Sequence, residues 1–529
     1  MPAAAPPVTR PAAFARFYPV GLGVLTLVGF GLRLYLLDRY PFREDEAIYS
    51  FWALHFWHVD PLFLTVWPDK PPVFLWLLAA TFRLFGSMPA SARWLNIVLS
   101  TATIPVVAVT ARHLWGRRTA LVVALAFGLN PFAISFASTV YTDPLLVFAG
   151  SLALYMALTD RAFGAGFWLG LAIMTKQQGV LYLPLVLGLL LQCRLITRDR
   201  HRRRSVLGFL GGLCLILLPI LYWDSLRWAV APSPWDLSVR NYGALALMAV
   251  NQWPARLVAW ADLGWYLAAS WLVWALLGGL ITWKLMQRRD PKTQRCQENR
   301  SLLLSPFSLI SLWSLGFCIL HVVSTVQIWD RYLLPLAPVL ALAIGWLVNH
   351  FNQRLSARAF ILLFLVGSLC LLPPALMATT GQLPIGADHG DYAGLTEAVS
   401  WLTHEYNNHV VLYHHLLGWQ YRFYLYDQIA DGDYELRWFP SAVYLADNAT
   451  KAPLRRKFFL QPSWSPIRDL KMQLMVRGLT LAAIQHFGKF TLYEIKQPLQ
   501  LSCAWCVCEP HTTWPTLKFG SGQSMMSRP

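Results

Sequence analysis

Two runs without a single charge, LVVALAFGLNPFAISFA from Leu121 and SVLGFLGGLCLILLPILYW from Ser205, restrict this chain more than any other feature. Each approaches the roughly 17 to 25 apolar residues that cross a hydrocarbon core about 30 Å thick. Lipid offers no partner for a backbone amide, so segments of this kind must be helices. Comparable runs recur along the chain, and only 13% of its residues are charged, against roughly 25% in soluble proteins. Tryptophan and tyrosine crowd the ends of the runs, where amphipathic rings prefer the headgroup layer. The sequence therefore reads as an all-α polytopic membrane protein.

A net charge of +17 raises nucleic acid as a partner, but its distribution speaks against that. The basic clusters sit between hydrophobic segments, the densest being RLITRDRHRRR at Arg194–Arg204 and KLMQRRDPKTQRCQENR at Lys284–Arg300. That is the pattern of cytoplasmic loops under the positive-inside rule. The first apolar run has no small-residue cleavage site after it and reads as an anchored helix following a cytoplasmic N-terminus, residues 1–19.

Loop charge also sets the threading. After a first span at 20–37 comes a long loop, residues 38–92, holding two short apolar stretches, AIYSFWALHFWH and PPVFLWLLAATFRLFG. If the second crossed the membrane, every later basic cluster would fall outside. Both are therefore expected to lie in the interface. Further spans are expected near 94–111, 119–137, 144–159, 164–175, 179–193, 205–223, 263–283, 303–325, 332–349 and 359–378, about eleven in all. Residues 20–378 then form one transmembrane domain. From 379 to 529 polar and apolar stretches alternate as in a globular domain. GLTEAVSWLTHEYNN and HLLGWQYRFYL have helical period, while HVVLY and KFTLYEI read as strands. Parity makes this small C-terminal α/β domain extracytoplasmic. Five of the 8 cysteines are scattered through spans and cytoplasmic loops. Cys503, Cys506 and Cys508 precede His511, a spacing that suits a soft metal, although a tail disulfide or free thiols is the preferred reading. Asn448-Ala449-Thr450 fits a glycosylation pattern and is read as coincidence.

The same parity gathers five unusual polar groups on one side. They are Arg43-Glu44-Asp45-Glu46, Asp69-Lys70-Pro71-Pro72, Tyr141-Thr142-Asp143-Pro144, Thr175-Lys176-Gln177-Gln178 and Trp329-Asp330-Arg331-Tyr332. Ionisable groups at membrane depth are costly, so their shared sidedness marks a functional site. A carboxylate there can take the proton of an attacking hydroxyl, and lysine and arginine can hold an anionic lipid carrier. Each element also has a plain alternative. Asp143 before Pro144 suits a helix start. Lys70 and Lys176 can snorkel to headgroups, Arg331-Tyr332 can anchor an interface, and the three acids can form a solvated loop.

In order and spacing these motifs resemble the protein O-mannosyltransferases and the bacterial aminoarabinose transferases of lipid A, members of the GT-C glycosyltransferase superfamily. The Asp-Glu pair of their first external loop is matched by Asp45-Glu46, and their Lys-Pro-Pro element by Lys70-Pro71-Pro72. Asp143, the stretch GLAIMTKQQGVLYLPL and the element DRYLLPLAPVLAL match in turn, so that the likeness covers roughly residues 20 to 350. The resemblance implies a GT-C fold with its cavity on the outer face, a polyprenyl-phosphate sugar donor and inversion at the anomeric carbon. It implies Asp45 as catalytic base, with Glu46 and Asp143 shaping the acceptor site. Lys70, Arg331 and Tyr332 would hold the carrier phosphate, assisted by Lys176. Asp69 takes the place of a glutamate that can hold a divalent metal, the one cofactor the resemblance raises, but no histidine partner is visible. Glu44 stands where those families carry a small residue, and the C-terminal region matches none of theirs. The acceptor (glycan, lipid or protein) therefore does not transfer. The rival readings are a transporter or flippase of lipid-linked sugars, a catalytically silent receptor, and a related arabinosyl- or galacturonosyltransferase. A transporter calls for charges near the midplane within repeated halves, and the sequence has neither.

Overall fold

The computed structural model describes residues 12–197, 202–243, 246–287, 305–352, 356–386, 388–451 and 455–497. The three C-terminal cysteines, His511, residues 198–201 of the first basic cluster and residues 288–300 of the second lie outside them. The described chain is mostly helical, with a small sheet near its C-terminus. Among the described residues five helices are long and apolar enough to cross a membrane: Phe17–Leu34, Pro89–Trp115, Arg203–Ser225, Pro306–Val323 and Ala357–Thr379. The protein is a multi-pass membrane protein.

The span expected over 119–137 is two helices, Arg117–Gly128 and Pro131–Ala137, bent by 53°. Pro131 cannot continue the hydrogen-bond ladder, and the Asn130 side chain caps the second helix by accepting the Ala133 N–H at 3.0 Å. The break orphans carbonyls inside the protein. Arg33 of the first helix, 1% exposed, donates to the Phe127 and Gly128 carbonyls at 3.3 and 3.0 Å and to Ser100 at 2.9 Å. Other expected spans are helices of 14 to 16 residues, namely Asp143–Leu158, Ala162–Thr175 and Leu183–Thr197. At 1.5 Å per residue these fall short of the hydrocarbon thickness. Two glycines let the second of them approach Arg202–Ser225 closely: a Cβ on Gly166 or Gly212 would stand about 2 Å from a main-chain oxygen of the other helix.

The loop after the first helix carries Glu44–His58 and Val73–Phe85. Past the last long helix, Leu395–Glu405 leads into a sheet of five strands, β1 (Val410–His414), β2 (Tyr434–Trp438), β3 (Arg456–Pro462), β4 (Thr480–Phe487) and β5 (Phe490–Lys496). The order is β2-β1-β3-β5-β4. The first three strands are parallel and β5 runs antiparallel to both its neighbours. Two apolar clusters cover opposite faces of this sheet, as right-handed crossovers running in opposite directions, β1 to β2 and then β2 back past β1 to β3, require. A short helix after β1, Gly418–Tyr424, packs against Glu44–His58 and joins the domain to the helical body.

Candidate active site

Glu44–His58 opens with three carboxylates, a favourable sign at a helix N-terminus. The three point to different surroundings. Glu44 is exposed, and burial of its flank together with Asp45 raises its pKa. Glu46 is fully buried. It accepts the Arg43 and Val140 main-chain N–H groups at 3.0 and 3.1 Å and pairs with Arg93 at 3.3 Å. Arg93, equally buried, also ties down the Leu37, Tyr40 and Pro41 carbonyls. Glu46 has no surface left to offer a ligand. Its bonds fix the turn that presents Asp45. Glu46→Gln leaves Arg93 buried without its countercharge and is expected to cost about 3–5 kcal/mol, read as a lowered melting temperature in detergent.

Asp45 stands between these extremes: its side chain is 37% exposed and pairs with Arg331. Arg331 comes from a single 3-10 turn, Asp330–Leu333, ahead of Leu336–Asn352. Asp330 anchors that turn by accepting the N–H groups of Arg331 (2.8 Å) and of Gly386 (2.9 Å). The Arg331 guanidinium lies 4.8 Å from the Tyr141 ring. Burial disfavours its charge, but Asp45, followed by Tyr49, Tyr141 and Asp143, holds its pKa well above the ordinary value.

A second ion pair stands beside the first. Lys176 Nζ donates to Asp143 at 2.6 Å and lies 4.3 Å from the Tyr332 ring. Asp143 begins its helix without capping it; the cap position is Thr142 and lacks a side-chain bond. The third pair is Lys70 with Asp69 at 3.1 Å. Lys70 and Lys176 are each 4% exposed, so neither snorkels to a headgroup. Burial lowers both lysines, Lys176 to about 8, against the support of their carboxylates. Each lysine feels the other pairs too: Arg331 depresses both, and Asp45 raises Lys70. Six of the eight expected residues, Asp45, Lys70, Asp143, Lys176, Arg331 and Tyr332, thus share one electrostatic neighbourhood with Asp69 at its edge.

Sequence reading missed Tyr242. Its hydroxyl donates to Asp69 at 2.7 Å and accepts from Lys70 at 2.9 Å. It ends the helix Pro234–Tyr242, where no charge pattern set it apart. Gln177 ties this helix to the site through the Asp69 and Pro234 carbonyls at 2.8 and 3.2 Å. Asp69 is taken up by Lys70, Tyr242 and Asn241, which together hold its pKa low despite burial. An ammonium occupies the place a divalent cation would need. Among the described residues no three His, Cys, Asp or Glu gather to bind a metal. The donor set at Asp69 does not fit one.

An apolar groove of about 400 Å³ lies between Leu183–Thr197 and Pro306–Val323, lined by Leu181, Leu185, Leu312, Trp313, Gly316 and Phe317 among others. One residue past Leu320 of that lining, the His321 ring meets Gln178 at 3.3 Å, and Gln178 donates to the Tyr332 carbonyl at 3.1 Å. Opposed charges and an apolar slot in one helical body suit an anionic lipid.

Residues 69–223 match the family model described as dolichyl-phosphate-mannose-protein mannosyltransferase. The chain resembles the GT-C glycosyltransferases in sequence and in fold. ArnT from Cupriavidus metallidurans in the apo state superposes with a TM-score of 0.61 at 16% identity, over 91% of this chain and 98% of that one. The same protein bound to undecaprenyl phosphate gives 0.59 at 15%, over 92% and 98%. The Archaeoglobus fulgidus oligosaccharyltransferase, in complex with Zn and sulfate, gives 0.52 at 12%, over 89% and 72%. At such identities the likeness is one of fold. No curated protein matches the chain. The GT-C family model takes in Asp69, Lys70, Asp143 and Lys176, whereas Asp45, Arg331 and Tyr332 lie beyond its bounds.

Proposed function

We propose that this protein is a membrane glycosyltransferase that moves a sugar from a polyprenyl-phosphate carrier to an acceptor hydroxyl on the extracytoplasmic face, with inversion. The observation that carries the reading is the convergence of three carboxylate–cation pairs in one electrostatic neighbourhood. In this reading the isoprenoid tail lies in the groove and the phosphate meets Arg331, Lys70 and Tyr332, with Lys176 behind them. The ArnT structure bound to undecaprenyl phosphate supports that class of donor. The topology that goes with it has about eleven crossings, a cytoplasmic N-terminus, and an external loop 38–92 and domain 379–529.

The three pairs balance in charge, and this gives the reaction an order. A carrier phosphate that engages Arg331 competes with Asp45 for the guanidinium and releases the carboxylate. Asp45 then accepts the proton of the acceptor hydroxyl while that oxygen bonds to the anomeric carbon. The bond from that carbon to the phosphate oxygen breaks, its electron pair leaves with the phosphate, and the cations neutralise the charge that develops. A single displacement from the opposite face inverts the centre. Asp143, held by Lys176, borders the acceptor side.

The test is transfer itself. Purified protein is incubated with a panel of radiolabelled polyprenyl-phosphate sugars and a membrane extract as source of acceptor. Label passing to the acceptor establishes the class and names the sugar. A folded protein that binds carrier yet transfers from no donor favours a flippase or receptor. The groove has its own test at Gly316, whose added Cβ meets open space. Gly316→Phe fills the slot without touching a charged residue and is expected to weaken polyprenyl-phosphate binding by about tenfold or more, since a buried phenyl-sized volume displaces several tail methylenes at ~0.8 kcal/mol each. Affinity for a short-chain analogue should change little.

A further inference from the structure

We infer that the C-terminal domain is a positioning element for Asp45, acting through the hydroxyl of Tyr424; this rests on the reading of Asp45 as the base. The segment Gly418–Tyr426 lies along the outer face of Glu44–His58. Trp419 packs against Phe51 and Trp52 with ring centroids 5.9 and 6.2 Å apart. Phe423 reaches Phe42 at 4.9 Å and Phe82 at 6.0 Å. Rings alone would make this an adhesive contact. The polar bond is what gives it direction: the Phe42 N–H donates to the Tyr424 hydroxyl oxygen at 2.9 Å, across 382 positions of sequence.

Phe42 is fully buried and stands two residues ahead of the helix that carries Asp45. Its amide has no carbonyl of that helix to bond, because the N–H groups around a helix start lack intrahelical partners. The next amide, Arg43, is held from the membrane side by Glu46. The entry to the first turn is thus pinned twice, once by each domain, and Asp45 lies just beyond the two pins. Displacement of a reacting group by about 1 Å can cost roughly a hundredfold in rate. Burial raises the Tyr424 pKa and keeps the hydroxyl neutral, so the bond persists across the working pH range.

Tyr424→Phe removes one oxygen and keeps the ring. The intact membrane protein in detergent is followed by hydrogen–deuterium exchange of the peptide spanning 42–46, alongside kcat and the Kd for polyprenyl phosphate. The expected result is about tenfold faster exchange at that peptide, since a net hydrogen bond is worth about a factor of ten, and kcat lower by about tenfold. Kd stays within twofold, because Arg331, Lys70 and Lys176 stand on other elements. Tyr444→Phe, an exposed tyrosine of the same domain, should change none of these. Unchanged exchange in Tyr424→Phe overturns the inference, and so does faster exchange with full kcat. If the unaltered protein transfers no sugar, faster exchange still shows Tyr424 holding the loop, and it is the reading of Asp45 that fails.

Discussion

Asp45→Asn is expected to lower kcat by about 10²–10⁴-fold, the usual contribution of a positioned acid or base, while the protein inserts, folds and still binds its carrier. The substitution preserves size and one acceptor oxygen but removes the group able to take a proton. Its cost to the fold is limited, because the Asp45 side chain is 37% exposed and water can solvate what Arg331 loses. Contrast Glu46, one residue along, where the partner has no access to water at all. Freed from Asp45, the Arg331 guanidinium faces the carrier phosphate without a competitor, so the Kd for polyprenyl phosphate should stay the same or tighten. A loss of binding in parallel with transfer would make Asp45 a structural residue. Transfer within threefold of the unaltered rate would remove it as the base.

Lys176 carries the second large effect. Burial brings its pKa down to about 8, so its proton is lost as pH rises through that value. A phosphate monoester has completed its second ionisation, near pH 6, well before then. Carrier affinity is therefore expected to be flat from pH 7 to 8 and to fall above about 8, by up to tenfold per unit. Arginine keeps its charge throughout this range, so Lys176→Arg should abolish the alkaline fall while retaining most binding. Lys176→Met should bind about 10- to 100-fold more weakly at pH 7, the worth of a hydrogen bond to a charged group. It also leaves the Asp143 carboxylate buried alone. Titrating Kd from pH 6.5 to 9.5 for the three proteins distinguishes these outcomes. An identical alkaline fall in Lys176→Arg would assign the ionisation to another group.

Much of the architecture could be read without coordinates because a membrane imposes few solutions. Uncharged length demands helix, and loop charge fixes sidedness. The strand HVVLY and the helices around it followed from period alone. The edges were less legible. The expected single span over 119–137 breaks at Asn130-Pro131, since an arginine from the first helix is there to satisfy the opened carbonyls. The strands Tyr434–Trp438 and Thr480–Phe487 went unread because both are only partly buried, with burial patterns that do not alternate cleanly.

The candidate site divides along the same line. Sequence by itself singled out Asp45, Lys70, Asp143, Lys176 and Arg331, because ionisable groups are costly at membrane depth and the parity of the expected spans puts all five on one face. Only the tertiary structure decided which charge answers which. It paired Asp45 with Arg331 across 286 positions and gave Glu46 to Arg93 rather than to the cavity. It also brought Tyr242 to Asp69 and Tyr424 to Phe42 from segments with no motif of their own. Side-chain pairing depends on distances of about 3 Å, which helix packing sets and the order of residues along the chain does not.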